Sequence, residues 1–334
     1  MSFLILFLCA CKKDASNLNT NSGVDIYVAG TVFNGFVYIA KYWKNGQAMA
    51  LTDSSRDAFA NSIAVVGSDV YVAGSEKTGS ESIAKYWKNG QAISLTDGTK
   101  SATLTSIAVV GSNIYTAGQE YNPYLAATCW HNGQATPLTD GSRWAFANSI
   151  AVVGSDVYVA GVERNESWTF DVAKYWKNGQ AIALTDGTKW GEAWSIAVAG
   201  GDVYVSGDEY DASGFSVAKY WKNGQAIALT DGSTFVRALS IAVVGTDVYV
   251  AGSESNGTVG VAKYWKNGQA ITLTDGSHDA GIFSIVVLDS DVYAAGYEFN
   301  GTANVAKYWK NGQAIALTDG TKNAEANSIV VIKH

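Results

Sequence analysis

The stretch SIAVVGTDVYVAGSESNGTVGVAKYWKNGQAITLTDG, residues 240–276, decides the fold of this chain. It holds four short β-prone runs separated by turn signals. SIAVV begins at Ser240 and ends in a Gly-Thr-Asp turn, DVYVA ends at Gly252, VAKYW opens at Val261, and AITL lies beyond Lys266-Asn267-Gly268-Gln269. Asn-Gly between two strand-like runs signals a hairpin, because a type I′ turn needs positive φ at both central positions. Asp275-Gly276 marks the next break. The runs are apolar at both parities, which suits strands packed on both faces.

The same unit recurs along the chain. Near-copies of KYWKNGQA place tryptophans at Trp43, Trp87, Trp130, Trp176, Trp221, Trp265 and Trp309. A period in the forties with several strands per copy signals a solenoid or a β-propeller, since each unit is too small to bury a core and must stack on its neighbours. SIAV-type runs start at Ser62, Ser106, Ser149, Ser195, Ser240, Ser284 and Ser328, and DVYV-type runs at Asp25, Asp69, Asn113, Asp156, Asp202, Asp247 and Asp291. The chain therefore begins on the second run type and ends on the first. The leftover SIVVI, Ser328 to Ile332, can complete the copy that opens at Val24, which leaves no exposed sheet edge. The expected fold is all-β: a seven-bladed β-propeller with four antiparallel strands per blade, closed by the C-terminal strand. The expected division is 1–11 as a signal segment, 12–22 as a flexible tether and 23–334 as the propeller.

A net charge of −7 and a pI near 5.0 speak against nucleic acid as a partner. Cys129 replaces the tyrosine of the KYW string and is expected to be a buried, reduced thiol. Cys9 and Cys11 close the opening stretch MSFLILFLCACKKD, whose apolar run is too short to span a bilayer but has the character of a signal peptide. Leu8-Cys9-Ala10-Cys11 resembles a bacterial lipobox, with Cys11 as the lipidated residue, and CKKD is similar to the start of many lipoproteins of the Bacteroidetes type. No Lys or Arg precedes the run. The resemblance implies a cell-envelope protein, on the outer membrane, periplasmic or surface side, that meets the membrane only through a lipid anchor. A monomer is expected.

SIAVVGSDVYVAG followed by KYW resembles the Kelch layout, in which an inner strand leads into a second strand ending in glycine, then a tyrosine and a tryptophan. Kelch units carry Gly-Gly where this chain has Ala-Gly, as at Ala73-Gly74 and Ala251-Gly252. The chain is also similar to bacterial extracellular propeller lipoproteins with YWKNG repeats. The Kelch likeness implies a strand layout, and the lipoprotein likeness implies a fold and an address but no activity.

With SIAV innermost, as the Kelch resemblance implies, the GSD and KNG turns share one nearly constant face. The links after DVYVAG and LTDG share the other, and they vary. Ahead of each SIAV run the residues alternate between small and variable, giving the triplets Asp57, Phe59, Asn61; Ser101, Thr103, Thr105; Trp144, Phe146, Asn148; Trp190, Glu192, Trp194; Phe235, Arg237, Leu239; Asp279, Gly281, Phe283; and Asn323, Glu325, Asn327. Alternation implies extended chain with the three variable side chains on one side. Drift at exposed sites favours polar residues, yet seven of these 21 are Trp or Phe, and aromatics with a few charges mark binding surfaces. The candidate ligand-binding residues are Asp57, Phe59, Trp144, Phe146, Trp190, Glu192, Trp194, Phe235, Arg237, Phe283 and Glu325. The expected ligand is a glycan or a protein. The second variable link adds Phe33, Phe36, Tyr121, Tyr124, Trp168, Phe170, Tyr210 and Phe215.

An acid opens that link in most copies: Glu76, Glu120, Glu163, Glu209, Glu254 and Glu298, with Val32 as the exception. A ring of acids could bind a cation, but acids that repeat with the scaffold are better read as structural, each accepting from a backbone N–H of a neighbouring blade. Asp208-Glu209-Tyr210-Asp211 has no EF-hand spacing. The three histidines have no metal-ligand spacing, and the sequence implies neither a metal nor a cofactor. Catalysis is the rival reading. The sialidase Asp-box S-x-D-x-G-x-T-W is absent and only four arginines occur, Arg56, Arg143, Arg164 and Arg237. A glycosidase needs two spaced carboxylates, for which Glu192, Glu325, Asp57 and Asp279 are the candidates. A purely structural scaffold is the third reading.

Overall fold

The computed structural model describes residues 23–211 and 214–334, so the signal segment, Cys11 and the tether lie outside the described residues. Seven four-stranded antiparallel sheets form the blades of a ring. In blade five, Gly191–Ala199 is innermost, followed outward by Asp202–Tyr210, Ser216–Lys222 and Gln225–Ala228. Blades two to seven are each continuous in sequence. Blade one takes its innermost strand, Ala324–Lys333, from the far end of the chain, and that strand pairs antiparallel with Val24–Phe33. The innermost strands of successive blades pack on one another around the central channel.

One tryptophan per blade, from Trp43 to Trp309, is 1% exposed. Each plugs the interface with the preceding blade: Trp87 packs on Tyr27, Ala29 and Ala40, and Trp221 on Tyr158, Ala160 and Tyr175. Burying an indole removes 150–250 Å² from water, a transfer free energy of about 4–6 kcal/mol before ordering entropy. Alanines around each ring are fully buried and leave room for it.

The constant face follows from the KNG turn. Asn267 (φ 50°) and Gly268 (φ 85°) form the type I′ pair. The Asn267 side chain also accepts from Val248 N at 2.8 Å and donates to Asp247 Oδ1 at 2.8 Å, and Lys266 pairs with Asp247 at 2.9 Å. Asp, Lys, Asn and Gly are thus one hydrogen-bonded unit, repeated around the ring except in blade three, where Asn113 and His131 replace the acid and the lysine.

Two belts of hydrogen bonds join the innermost strands. The serine of SIAV accepts from the isoleucine N–H of the next blade, as in Ile107 to Ser62 (3.3 Å), Ile150 to Ser106 (3.2 Å) and, across the closure, Ile63 to Ser328 (3.3 Å). The second belt uses the third member of the triplets. Asn61 donates to Leu104 O, Thr105 to Ala147 O, Asn148 to Ala193 O and Asn327 to Ala60 O. In the other three blades Trp194, Leu239 and Phe283 hold this position.

The triplets differ from simple extended chain. A β-bulge at the third member shifts the register, between Ala60 and Ser62 in blade two and between Ala193 and Ser195 in blade five. The glycine of the second strand makes room for it. A Cβ at Gly74 would lie 1.8 Å from Phe59 O, and one at Gly207 would lie 1.9 Å from Glu192 O. The second member of each triplet is thereby held opposite the residue that follows this glycine: Phe59 opposite Ser75, Glu192 opposite Asp208 and Glu325 opposite Thr31.

The repeated acids are structural, but their partners correct the expectation of a backbone N–H. Glu76 pairs with Lys85 and Glu209 with Lys219, while Glu163–Lys174, Glu254–Lys263 and Glu298–Lys307 lie at 2.5, 2.6 and 2.5 Å. Each lysine is that of the KYW string in the same blade. The pair is lost where Val32 replaces the acid and where Thr128 replaces the lysine.

Candidate functional site

The first triplet members divide into two kinds. Four are polar and cap the preceding blade's third strand: Tyr38 N donates to Asp57 Oδ1 (2.9 Å), Ser82 N to Ser101 Oγ (3.1 Å), Gly260 N to Asp279 Oδ1 (2.8 Å) and Asn304 N to Asn323 Oδ1 (2.9 Å). The other three, Trp144, Trp190 and Phe235, stand at consecutive junctions of the ring, and none can accept that bond. Three neighbouring junctions have given up a structural cap for a large aromatic ring.

These rings belong to three aromatic groups that together form a strip over blades three to six. Tyr124, Trp144 and Trp168 meet edge to face, with Tyr124–Trp168 at 4.9 Å and Trp144–Trp168 at 6.2 Å. The Arg164 guanidinium lies 5.4 Å from the Trp144 ring and 4.6 Å from the Trp190 ring, and it forms an ion pair with Asp171 at 2.7 Å. Phe170 meets Trp190 at 6.0 Å, and Phe215 meets Phe235 at 5.1 Å. Trp168 adopts φ 61°, a left-handed conformation that is costly for a bulky side chain. Asn165 Oδ1 holds it there by accepting from Thr169 N at 2.9 Å. Trp144, Trp168 and Phe235 remain 44%, 41% and 54% exposed.

Beside the strip, a cleft of about 360 Å³ is lined by Trp190, Glu192, Trp194, Asp208, Tyr210 and Arg237. A second, of about 320 Å³, adjoins it and shares Asp208, Tyr210 and Arg237. Trp194 Nε1 donates to Asp208 Oδ1 at 2.8 Å, and the Arg237 guanidinium lies 5.9 Å from the Trp194 ring. Burial pushes Glu192 up to about 8, and the charges of Asp208 and Asp171 add to the rise. Burial likewise lifts Asp208 to about 6, against the indole bond and the Arg237 charge.

Phe59, Phe283 and Glu325 gather elsewhere, in a cleft of about 420 Å³ at the ring closure with Thr31, Tyr38, Asn61, Asn304 and Asn323. Burial raises the Glu325 carboxyl above its ordinary value. Of the eleven candidate residues, three therefore line the closure cleft and five line the two clefts of blades five and six, while Trp144 stands in the aromatic strip. Asp57 joins neither cleft, because it caps Tyr38 and pairs with Lys77 at 3.1 Å. Phe146 lies in the innermost strand of blade four and lines none of these clefts. Asp279 accepts from Gly260 N at 2.8 Å and from Tyr297 Oη at 2.7 Å, so of the four carboxylates expected to pair across the channel, Asp57 and Asp279 are engaged in structural bonds.

Sequence reasoning missed Asp208 and Asp171 as parts of this surface. A signal for Asp208 existed: it stands where other copies have Thr31, Ser75, Gln119, Val162, Ser253 or Tyr297, so it breaks the repeat inside an otherwise regular strand. Among the described residues, no group of three or more His, Cys, Asp or Glu is placed to hold a metal ion.

No family model and no curated protein matches the chain. Solved structures share the fold. The chain resembles the Pyrococcus horikoshii acylaminoacyl peptidase with a TM-score of 0.52 at 13% identity, over 90% of this chain and 51% of that one. It resembles a Mycobacterium tuberculosis puromycin-hydrolyzing peptidase with a TM-score of 0.55 at 8% identity, over 80% of this chain and 46% of that one. The chain thus spans about half the length of these proteins, and likeness at such identity concerns the propeller fold alone.

Proposed function

We propose that this propeller is a carbohydrate-binding protein whose working surface is the aromatic strip and cleft of blades three to six. The observation that carries this reading is the replacement of a polar cap by Trp144, Trp190 and Phe235 at three consecutive junctions. Relaxed drift would scatter such losses around the ring. Flat, partly exposed rings beside fixed polar groups suit sugars, whose faces are apolar and whose edges are hydroxylated. The likeness to YWKNG-repeat lipoproteins and the lipobox-like Cys11 support a protein tethered in the cell envelope, where polysaccharides are the ambient polymer.

Affinity electrophoresis of the full chain through gels loaded with single polysaccharides tests this. The wild type should be retarded by at least one of them. Joint replacement of Trp144, Trp190 and Trp194 by Ala should abolish the retardation while the circular dichroism spectrum is kept. Retardation unchanged in that variant rejects the reading.

A further inference from the structure

The cleft between blades five and six holds an arginine that is in no ion pair, with the buried carboxyls of Asp208 and Glu192 near it. Arg143 pairs with Glu163 at 3.2 Å and Arg164 with Asp171 at 2.7 Å. Among the described residues, Arg237 forms no ion pair, unlike Arg143 and Arg164. It is exposed, stacks toward Trp194 and lines both adjoining clefts. Asp208, the nearby carboxylate, is 4% exposed and spends Oδ1 on the Trp194 indole. A guanidinium presents parallel donors that match a carboxylate.

We propose that this cleft takes the carboxylate of an acidic sugar, a uronic acid unit within a polysaccharide, with Arg237 as its partner. The inference rests on the carbohydrate reading above and narrows its ligand class. Trp190, Trp194 and Tyr210 supply the faces for the ring, and the second cleft beyond Arg237 and Tyr210 accommodates the neighbouring sugar.

Glu192 completes the arrangement. It faces Asp208 on the adjacent strand, Asp171 and Arg164 from blade four, and Arg237 from blade six. With its proton, Glu192 donates to an incoming carboxylate. Without it, Glu192 adds a third negative charge against two guanidinium groups and repels the ligand. Binding of a carboxylate therefore takes up or retains a proton, and affinity falls as pH rises through about 8. A protonated amine in the same cleft would show the opposite slope.

The test is isothermal titration of the full chain with oligogalacturonate and with alginate oligomers, each beside its carboxyl-reduced counterpart, from pH 6 to 9. At least one acidic oligomer should bind about tenfold or more tightly than its reduced form, with affinity declining toward pH 9. Arg237→Gln should abolish the preference for the acid, and Glu192→Gln, which keeps an uncharged donor, should flatten the pH profile. Equal binding of acid and reduced forms, a preference that survives Arg237→Gln, or affinity rising with pH overturns the inference. If neutral or amino sugars bind and these acids do not, the inference falls and the carbohydrate reading stands. If no glycan binds, both fall.

Discussion

The indole of Trp194 donates to the carboxylate of Asp208 across 2.8 Å, from the bulge of one strand to the neighbouring strand of the same blade. Asp208→Ala removes the acceptor, frees the ring and leaves a half-buried indole N–H without its partner. Binding should weaken about tenfold, with a stability loss of about 1–3 kcal/mol. Asp208→Asn, which keeps an acceptor, should recover most of both. Titration calorimetry and urea unfolding read the two effects separately.

Glu192 makes stability depend on pH. Its folded pKa, about 8, lies above the ordinary 4.5, so the folded state holds the proton more firmly than the unfolded chain. That contribution is complete below about pH 4.5 and is lost as pH rises through 8. Glu192→Gln should remove this fall and raise stability at pH 9 by on the order of 3 kcal/mol. A melting profile of the variant parallel to that of the wild type between pH 5 and 9 would contradict it.

Gly74 should not tolerate a methyl group. Its Cβ would lie 1.8 Å from Phe59 O, which is backbone and cannot swing aside. Gly74→Ala should cost about 4 kcal/mol or more, or prevent folding. Gly74 has negative φ, so the loss reports the close approach at the bulge rather than backbone conformation. Expression yield and the thermal midpoint show the result.

Blade three offers a gain. Cys129 and Thr136 stand where most copies have tyrosine and isoleucine, and a cavity of about 170 Å³ opens between them, Leu138 and Trp176. Restoring both residues, Cys129→Tyr with Thr136→Ile, should fill it and raise stability by about 1–2 kcal/mol. A lowered midpoint would mean that the repacked ring meets steric resistance.

The fold was legible because the repeat acts as an internal alignment: strand order, blade number and closure all follow from where the copies of SIAV, DVYV and KYW fall. The site was legible only in part. Trp144, Trp190, Phe235 and Arg237 stood out because they depart from the other copies. Asp57 stood out for the same reason yet does structural work, because a polar side chain at that position caps a strand and an aromatic one cannot. Contacts that depend on register stayed hidden: the lysine opposite each repeated acid, Asp208 facing Glu192, and the bulge that turns Asn148 toward the next blade. A one-dimensional pattern shows which residues vary, but pairing across strands is set by where a glycine permits the extra residue.

The closure of blade one has a consequence for how the molecule can be cut and rejoined. His334 N donates to Gly23 O at 2.9 Å, so the two ends of the described propeller already touch. A short peptide link between them, with a new break in any constant KNG turn, would leave every sheet with its four strands. Such circular permutants should fold to the same ring, because the bonds that hold each blade do not depend on where the chain is opened.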